Sequence, residues 1–491
     1  MSQVSNEAIL KRGVIVNSIG VVAKFSKGLY LILFSTVLGA NQFGIYTYSF
    51  AIFDVICTMI QFAFGQALAL QFGKYKHRKL EKYIFHTGNL VFLRGLLIST
   101  ILSTGLYFLI PVVFDHINHQ EVYVRSLQIF CFAIPPYALK YNILFSIRAS
   151  FDTKYEVIVL SMIEPLLLFF AGLIVFYGFH PDVYLLCYGL VATFYVTGII
   201  SYCMYVKKFK LEHNEVDPKF KFFSFLKTSY HIAVMETMNM MMGRSDLLFI
   251  GYLVSPSLVG IYGAAFELSS MIIKLKAVIE PTLPALIQKI HHENDKTKVN
   301  LWLIRSMFWI LLVGSIIAGL IIVDPNFFMS FFRFDKMYAQ YFFILPLLAC
   351  GRLFHAVFGL IDAPLYMVDH GHLAMRISIL NFLCNFGLFF VLIPKMGILG
   401  AGIGFIISSI LTTGYRLYLS HRIFHMVPVN RSFLIPILSL VPAVAIVKLI
   451  QFNLVFSDYV VTMLEFIVFG SMYFVLFQIL RNTRLAHKSL P

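Results

Sequence analysis

The most regular feature of the chain is a series of apolar stretches of roughly 20 residues, separated by short polar turns. A helix of that length crosses the hydrocarbon core of a bilayer, and inside hydrocarbon only helices and closed barrels satisfy every backbone polar group. The stretches are too long and too continuous for barrel strands. They predict an all-α integral membrane protein with about 14 transmembrane helices, at about 14–38, 45–70, 86–114, 125–147, 157–179, 183–206, 226–251, 259–283, 300–323, 338–367, 374–394, 398–420, 432–450 and 459–480.

Composition supports the same class and excludes a soluble domain. Hydrophobic residues make up 59% of the chain and charged residues 13%, whereas soluble domains are roughly 45–50% apolar and about 25% charged. The formal net charge is +15, and nearly all basic loop residues fall on one side of the predicted membrane. The opposite loops hold only Arg333, Lys336 and Lys395. This asymmetry predicts a multi-pass protein of the cytoplasmic (inner) membrane with both termini in the cytoplasm. It indicates membrane lipids, and no nucleic acid, as partners of the basic loops.

An internal repeat divides the chain into two similar parts. Gly44-Ile45-Tyr46, followed by Phe50, recurs 216 positions later as Gly260-Ile261-Tyr262, followed by Phe266. Repeats of this kind are typical of secondary transporters. The fold class predicted is two pseudo-symmetric six-helix bundles plus two extra C-terminal helices. The predicted domains are an N-terminal lobe at 1–206, a cytoplasmic linker at 207–225, a C-terminal lobe at 226–420, an additional helix pair at 432–480 and a cytoplasmic tail at 481–491.

Four glycine- and proline-containing stretches carry a resemblance to a known family. They are Leu38-Gly39 with Phe43-Gly44-Ile45-Tyr46, Gly260-Ile261-Tyr262 with Ala264-Ala265, Pro281-x-x-Pro284, and Ile393-Pro394-Lys395-Met396-Gly397-Ile398-Leu399-Gly400-Ala401-Gly402. In their order and spacing, the chain resembles the polysaccharide transporter family, the O-antigen and capsule flippases of the multidrug/oligosaccharidyl-lipid/polysaccharide exporter superfamily. The resemblance implies a two-lobed transporter that carries undecaprenyl-pyrophosphate-linked oligosaccharide to the outer leaflet. It also implies lipid-linked oligosaccharide, polysaccharide polymerase and chain-length machinery as partners.

Basic residues inside the predicted spans are candidates for substrate binding. A charge at the bilayer centre costs at least about 2.5–3.5 kcal/mol, so it usually faces a cavity or a partner. A pyrophosphate needs fixed positive charge to enter a region of low dielectric. We therefore predict a cationic cavity lined by Lys24, Lys27, Arg244, Lys274, Arg94 and Arg352. The alternative is structural ion pairing with acids in the spans, namely Asp54, Glu236, Asp246, Glu267 and Glu280.

The acidic residues admit a second role, because a buried carboxyl group can take up a coupling proton or sodium ion. The candidates for ion coupling are Asp54, Glu164, Glu236, Glu267 and His355, against structural pairing or packing. The six cysteines fall in spans without metal-ligand spacing, so we predict no metal site and no cofactor. The sequence has no phosphate-cradling G-x-x-x-x-G-K-[ST] loop and neither H-E-x-x-H nor G-x-S-x-G, so no catalytic residue and no enzyme is predicted.

Four other functions compete with the flippase for lipid-linked oligosaccharide. A cation-coupled multidrug exporter of the same superfamily would be expected to bind cationic drugs with acidic residues, whereas the central charges here are mostly basic. A flippase for the lipid-linked peptidoglycan precursor would also have a basic cavity. A membrane glycosyltransferase ranks lower, because the longest outer loop, 324–337, is short and apolar. A scaffold for polysaccharide assembly is a further, lower alternative.

Overall fold

A computed structural model of the chain describes residues 6–78, 80–113, 120–148, 154–178, 182–209, 215, 217–279, 296–361, 371–424, 433–450 and 458–481. All regular structure in these ranges is helical, as the apolar pattern predicts. In chain order the α-helices are α1 Asn6–Ile60, α2 Phe64–His77, α3 Ile84–Val113, α4 Gln120–Cys131, α5 Ile134–Arg148, α6 Glu164–Gly178, α7 Val183–Phe209, α8 Phe222–Leu253, α9 Pro256–Ile279, α10 Lys296–Val323, α11 Pro325–Ser330, α12 Ile344–Phe358, α13 Gly371–Met396, α14 Ile398–Phe424, α15 Leu434–Ile450 and α16 Asp458–Arg481. A π-helical segment, Val157–Ile163, leads into α6.

The helices form two compact units, one of which is Ile19–Gly260 and the other Ile261–Pro491 together with Met1–Ser18. In the first unit α5 packs against α2, α3 and α7, and α8 packs against α2. In the second unit α12 packs against α10 and α14, and α13 against α14. The predicted additional helix pair, α15 and α16, packs on itself and on α10 around Val447, Phe469 and Tyr473. The division falls after Gly260, and the predicted domain limits stay a prediction.

The predicted number of membrane spans is not confirmed by the described part of the chain. Among the described residues, ten helical stretches are long and apolar enough to cross a membrane, or eleven if the bent pair α4–α5 counts as one span. Fourteen is therefore not confirmed. One stretch, Gly28–Tyr75, covers the whole predicted span at 45–70 and the end, 28–38, of that at 14–38. The predicted seventh span corresponds to α8, which is not among the ten and carries Glu236, Arg244 and Asp246.

Two backbone breaks divide the first predicted spans. Within α1, Gly39 has φ 68° and ψ 174°, a conformation that essentially only glycine adopts. Between α1 and α2, the turn at 61–63 places Phe62 and Ala63 at φ 51° and 49°. Side chains from α5 and α8 satisfy this turn. Asn142 donates Nδ2–H to the carbonyl of Gln61 at 3.3 Å, and its Oδ1 accepts from the N–H of Gly65 at 2.9 Å, while Ser229 donates to the carbonyl of Phe62. The predicted span at 45–70 is thus an interrupted helix.

The two repeated glycines contact each other's segments within the unit Ile19–Gly260. A Cβ atom placed on Gly44 would lie 1.7 Å from the carbonyl oxygen of Pro256, and one on Gly260 would lie 2.3 Å from the carbonyl oxygen of Ala40. Pro256 stands 216 positions after Ala40, the same offset that relates the glycines. The contact is therefore reciprocal, and it requires glycine at both positions because any side chain would overlap the facing backbone.

Candidate functional site

A cation and an acid from different helices form an ion pair in the unit Ile19–Gly260. Arg244, on α8, donates Nη2–H at 2.8 Å and Nε–H at 3.1 Å to Oδ2 of Asp54, on α1. The side chains are 20% and 10% exposed, so the pair is largely shielded but keeps one open side. The guanidinium also lies 5.5 Å from the ring centre of Phe50. The structure therefore brings together two predicted site residues from opposite lists, a candidate substrate ligand and a candidate coupling acid.

A second ion pair in the same unit is more deeply buried. Nζ of Lys140, on α5, lies 2.5 Å from Oε2 of Glu164 at the start of α6. The lysine side chain has no solvent exposure and the glutamate side chain 16%. Three rings surround the ammonium group, with centres at 4.2 Å for Phe194, 4.6 Å for Tyr141 and 5.2 Å for Tyr137. Carboxylate and aromatic faces together compensate for the loss of water around the cation.

Tyr137 connects the two pairs. Its hydroxyl group lies 3.4 Å from Oδ1 of Asp54 and donates to it, while its ring lies beside Lys140. Asp54 therefore contacts Arg244 through one carboxylate oxygen and Tyr137 through the other. Because Tyr137 contacts Asp54 through its hydroxyl group and Lys140 through its ring, a change of partner at Asp54 would alter the surroundings of Lys140. We call Asp54, Tyr137, Lys140, Glu164 and Arg244 the paired-charge cluster.

In the unit Ile261–Pro491 the predicted cations have other kinds of partner. Lys274 lies 3.3 Å from Oε1 of Glu267, seven residues earlier on the same helix, α9. Arg352, on α12, lies between two rings, with its guanidinium carbon 4.0 Å from the centre of Phe266 and 4.9 Å from that of Phe405. His355, one turn further along α12, has Lys276, Arg352 and Arg416 as basic neighbours. The region around His355 is therefore rich in positive charge.

The remaining predicted site residues are scattered. Arg94, on α3, is exposed and stacks on Phe222 at 4.6 Å. Glu236 is half-buried on α8. Lys24 and Lys27 belong to α1, but their side chains lie outside the described part of the chain, as do Glu280 and the Pro281-x-x-Pro284 motif. The tail at 482–491 lies outside it as well. Their roles stay predictions.

Lys140 is not among the site residues predicted from the sequence. The available signal was a lysine inside the predicted span at 125–147, two turns before its end. Such a residue is costly unless it has a partner, so its position alone marks a pair or a cavity. Glu164 was predicted, but its partner was not identifiable because the two are 24 residues apart on separate helices. In the described ranges, no three His, Cys, Asp or Glu residues are grouped so that they could hold a metal ion.

The fold is similar to that of several solved membrane transporters. The lipid II flippase MurJ, in an inward closed conformation, matches with a TM-score of 0.72 and 14% identity over 95% of this chain and 99% of its own. An inward-facing multidrug resistance transporter of the MATE family and MOP superfamily matches with a TM-score of 0.69 and 12% identity, over 84% and 98%. A MOP superfamily transporter from Pyrococcus furiosus matches with 0.65 and 13%, over 85% and 97%. These likenesses confirm the predicted fold class without fixing a substrate.

Sequence comparison gives the family. A comparison with curated proteins finds no significant match. A family model described as polysaccharide biosynthesis protein matches residues 10–280, more than half of the chain. That range includes α1 from residue 10 onward, α2 to α9, both copies of the glycine repeat and the whole paired-charge cluster. The chain therefore belongs to the polysaccharide biosynthesis protein family, and its fold is that of the MOP superfamily transporters.

Proposed function

We propose that the protein is a flippase that moves undecaprenyl-pyrophosphate-linked oligosaccharide from the inner to the outer leaflet of the cytoplasmic membrane by alternating access. It would serve O-antigen or capsule assembly and would deliver its cargo to a polysaccharide polymerase and chain-length machinery. The observation that carries the proposal is the family match to polysaccharide biosynthesis proteins over residues 10–280. The similarity of the fold to that of the lipid II flippase MurJ supports it.

Arg244 is the residue we assign to the phosphate groups of the cargo. Its pair with Asp54 is partly open to solvent, and the bond runs to a single carboxylate oxygen. A phosphate oxygen presents the same anionic acceptor geometry to a guanidinium as a carboxylate does. The cargo can therefore replace Asp54 at Arg244 without leaving the cation unpaired in a region of low dielectric. We keep Lys24, Lys27, Lys274, Arg94 and Arg352 as further candidates for the same anionic cargo.

Exchange of partners at Arg244 suggests how ion coupling would work. Once the cargo takes the guanidinium, the side-chain hydrogen bond that Asp54 keeps within the described ranges is the one from Tyr137. A carboxylate left in that surrounding is stabilised by a proton or a sodium ion. Binding of the anionic cargo and of a cation would then favour each other. Glu164, Glu236, Glu267 and His355 stay candidates for the same role.

The direct test is complementation of a strain that lacks its own flippase. Expression of the full chain is expected to restore outer-leaflet exposure of labelled glycan, and Arg244→Ala to abolish it while the protein stays inserted and abundant. Lys82→Ala is the matched control, because Lys82 is a basic residue in an exposed ion pair with Glu215. Failure of the wild-type chain to expose any labelled glycan, or full activity of Arg244→Ala, would contradict the assignment.

A cation-coupled multidrug exporter is the second candidate function. The observation in its favour is the neutralisation of Arg244 and Lys274 by acids, which removes net positive charge from these two predicted sites. Efflux of a cationic dye by the expressed chain, without any effect on glycan exposure, would favour the exporter. Glycan exposure without dye efflux is the result expected for the flippase.

A further inference from the structure

A lateral cavity of about 620 Å³ lies in the unit Ile19–Gly260, away from the paired-charge cluster. It is enclosed by α3, the α4–α5 junction and α7, and none of the predicted site residues lines it. Its volume lies within the range of roughly 300–1,000 Å³ that is typical of ligand pockets. We call it the α3–α5–α7 pocket, and its lining includes Leu96, Thr100, Ser103, Pro136, Leu139 and Gly198.

A broken helix creates the pocket. The axis bends by 45° between α4 and α5, and Pro135 and Pro136 start α5 without N–H groups. Such a break is tolerated at membrane depth only where other groups satisfy the backbone. Ser103 does so by donating to the carbonyl of Cys131 at 2.5 Å. This hydrogen bond ties the bend to α3, and the pocket lies beside it.

The serine and threonine hydroxyl groups on the α3 wall of the pocket are already satisfied. Thr100 donates its hydroxyl proton to the carbonyl of Leu96 at 2.7 Å, and Thr104 to the carbonyl of Thr100 at 2.9 Å. The hydroxyl proton of Ser103 is used by Cys131. The other hydroxyl groups of the lining belong to Tyr107, Tyr195 and Tyr202, and the remaining lining side chains are apolar. The pocket chemistry therefore favours an apolar ligand.

The position of the pocket along its helices places it near the middle of the bilayer. Along α3 the lining runs from Leu96 to Phe108, about 18 to 36 Å from the first residue of a helix about 45 Å long, at 1.5 Å per residue. A helix of this length centred in a hydrocarbon core about 30 Å thick would place the Leu96 end of the pocket near mid-depth. Around the opening, Leu97, Ile101 and Phe132 are 56%, 70% and 54% exposed, as expected of side chains that meet lipid. A hydrocarbon chain at this depth is reachable from the head-group layer of either leaflet.

The pocket and the paired-charge cluster share a helix. On α5, Pro136 and Leu139 line the pocket, while Tyr137 and Lys140 belong to the cluster on the neighbouring face. On α7, Gly198 lines the pocket, and Phe194, one turn earlier, packs over the ammonium group of Lys140. A ligand in the pocket would therefore contact α5 and α7, the helices that carry Lys140 and Phe194.

We propose that the α3–α5–α7 pocket binds a segment of the polyprenyl chain of the cargo while the head group changes leaflets. This inference rests on the proposed function. The polyprenyl chain of the cargo stays in the hydrocarbon core while the head group crosses the membrane. A site at mid-depth can contact this chain whether the head group is in the inner or in the outer leaflet. A phospholipid acyl chain spans one leaflet and ends at this depth, whereas the long polyprenyl chain passes through it.

Photolabelling of the full chain in nanodiscs tests the inference without measuring transport. An undecaprenyl phosphate with a photoreactive group on its chain is expected to label peptides that contain residues 96–108 and 195–202. Gly198→Leu fills the pocket, since a Cβ at Gly198 would meet Pro136 only at ordinary contact distances of 3.5–3.7 Å. Displacement of about two buried CH₂ groups lowers this labelling about tenfold. Thr100→Phe fills the pocket from α3 and is expected to act in the same way.

Gly105→Leu is the matched control. Gly105 lies on α3 with open space around its missing side chain, so the same substitution adds bulk toward lipid and is expected to leave labelling unchanged. Equal labelling of Gly198→Leu, Thr100→Phe and Gly105→Leu would overturn the proposal. So would competition by excess phosphatidylglycerol as strong as that by unlabelled undecaprenyl phosphate, because the pocket would then be a bilayer-lipid site. Glycan exposure by a wild-type chain whose pocket is not labelled would overturn this inference alone, and labelling without glycan exposure would overturn the proposed cargo alone.

Discussion

The two units stabilise cations inside the membrane with different kinds of contact. In Ile19–Gly260, Arg244 and Lys140 each contact an acid from another helix. In Ile261–Pro491, Lys274 contacts an acid on its own helix, and Arg352 lies between aromatic rings. A pair between helices fixes how those helices pack, whereas a pair within one helix constrains only that helix. The first unit thus pairs its cations with acids on other helices, whereas the second pairs Lys274 within α9 and holds Arg352 against rings of two other helices, α9 and α14.

The largest expected effect is the loss of Lys140. Lys140→Ala leaves Glu164 as an uncompensated buried charge, and we expect the free energy of unfolding to fall by about 3–5 kcal/mol. Replacement of both partners by apolar residues, Lys140→Met with Glu164→Leu, is expected to recover most of the loss because no charge stays buried. Thermal unfolding midpoints of the purified full chain measure both. An equal loss in the single and double variants would mean that the pair has no special part in stability.

Arg244 and Asp54 are expected to show a smaller effect on stability and a large one on transport. In the double variant Arg244→Gln with Asp54→Asn, both charges are gone and an amide–amide hydrogen bond can replace the pair, so unfolding should change little. Loss of a charged hydrogen bond to the cargo phosphate should lower glycan exposure by about 10- to 100-fold. Full transport by the double variant would show that the pair is structural only.

A variant of Arg352 measures how much aromatic rings, in place of an acid, stabilise a buried cation. Arg352→Met keeps the length of the side chain but removes the cation from between Phe266 and Phe405, and we expect a loss of about 1–2 kcal/mol in unfolding free energy. Arg94→Met is the control, because Arg94 stacks on one ring from an exposed position and should lose about 0.5 kcal/mol. If both variants lose the same amount, burial between two rings adds nothing.

Lys274 is expected to matter least for stability. Its side chain and that of Glu267 are 18% and 20% exposed, and both lie on α9. Lys274→Ala should therefore change the unfolding free energy by less than about 1 kcal/mol. A shift in melting temperature as large as that of Lys140→Ala would contradict the distinction between the two units.

Sequence predicted the fold better than the site, and the reason is physical. Apolar length follows directly from bilayer thickness, so helices occur at the predicted spans and the fold class is confirmed. Helix breaks are harder to predict, because the turn at 61–63 depends on Asn142 and Ser229, which lie far away in the chain. Ion pairs are equally non-local. Arg244 and Asp54 are 190 residues apart, and no pattern in the sequence assigns one to the other.

The reciprocal contact of Gly44 and Gly260 has a consequence for how such a chain arose. Residue 44 meets 256 and residue 260 meets 40, which is the pattern of a two-fold dimer interface, where the same patch serves both partners. In a homodimeric ancestor, a single glycine would have satisfied both sides at once. After duplication and fusion, each copy could mutate separately, but either change alone would meet the unchanged backbone of the other. The contact therefore preserves, inside one polypeptide, the symmetry of two.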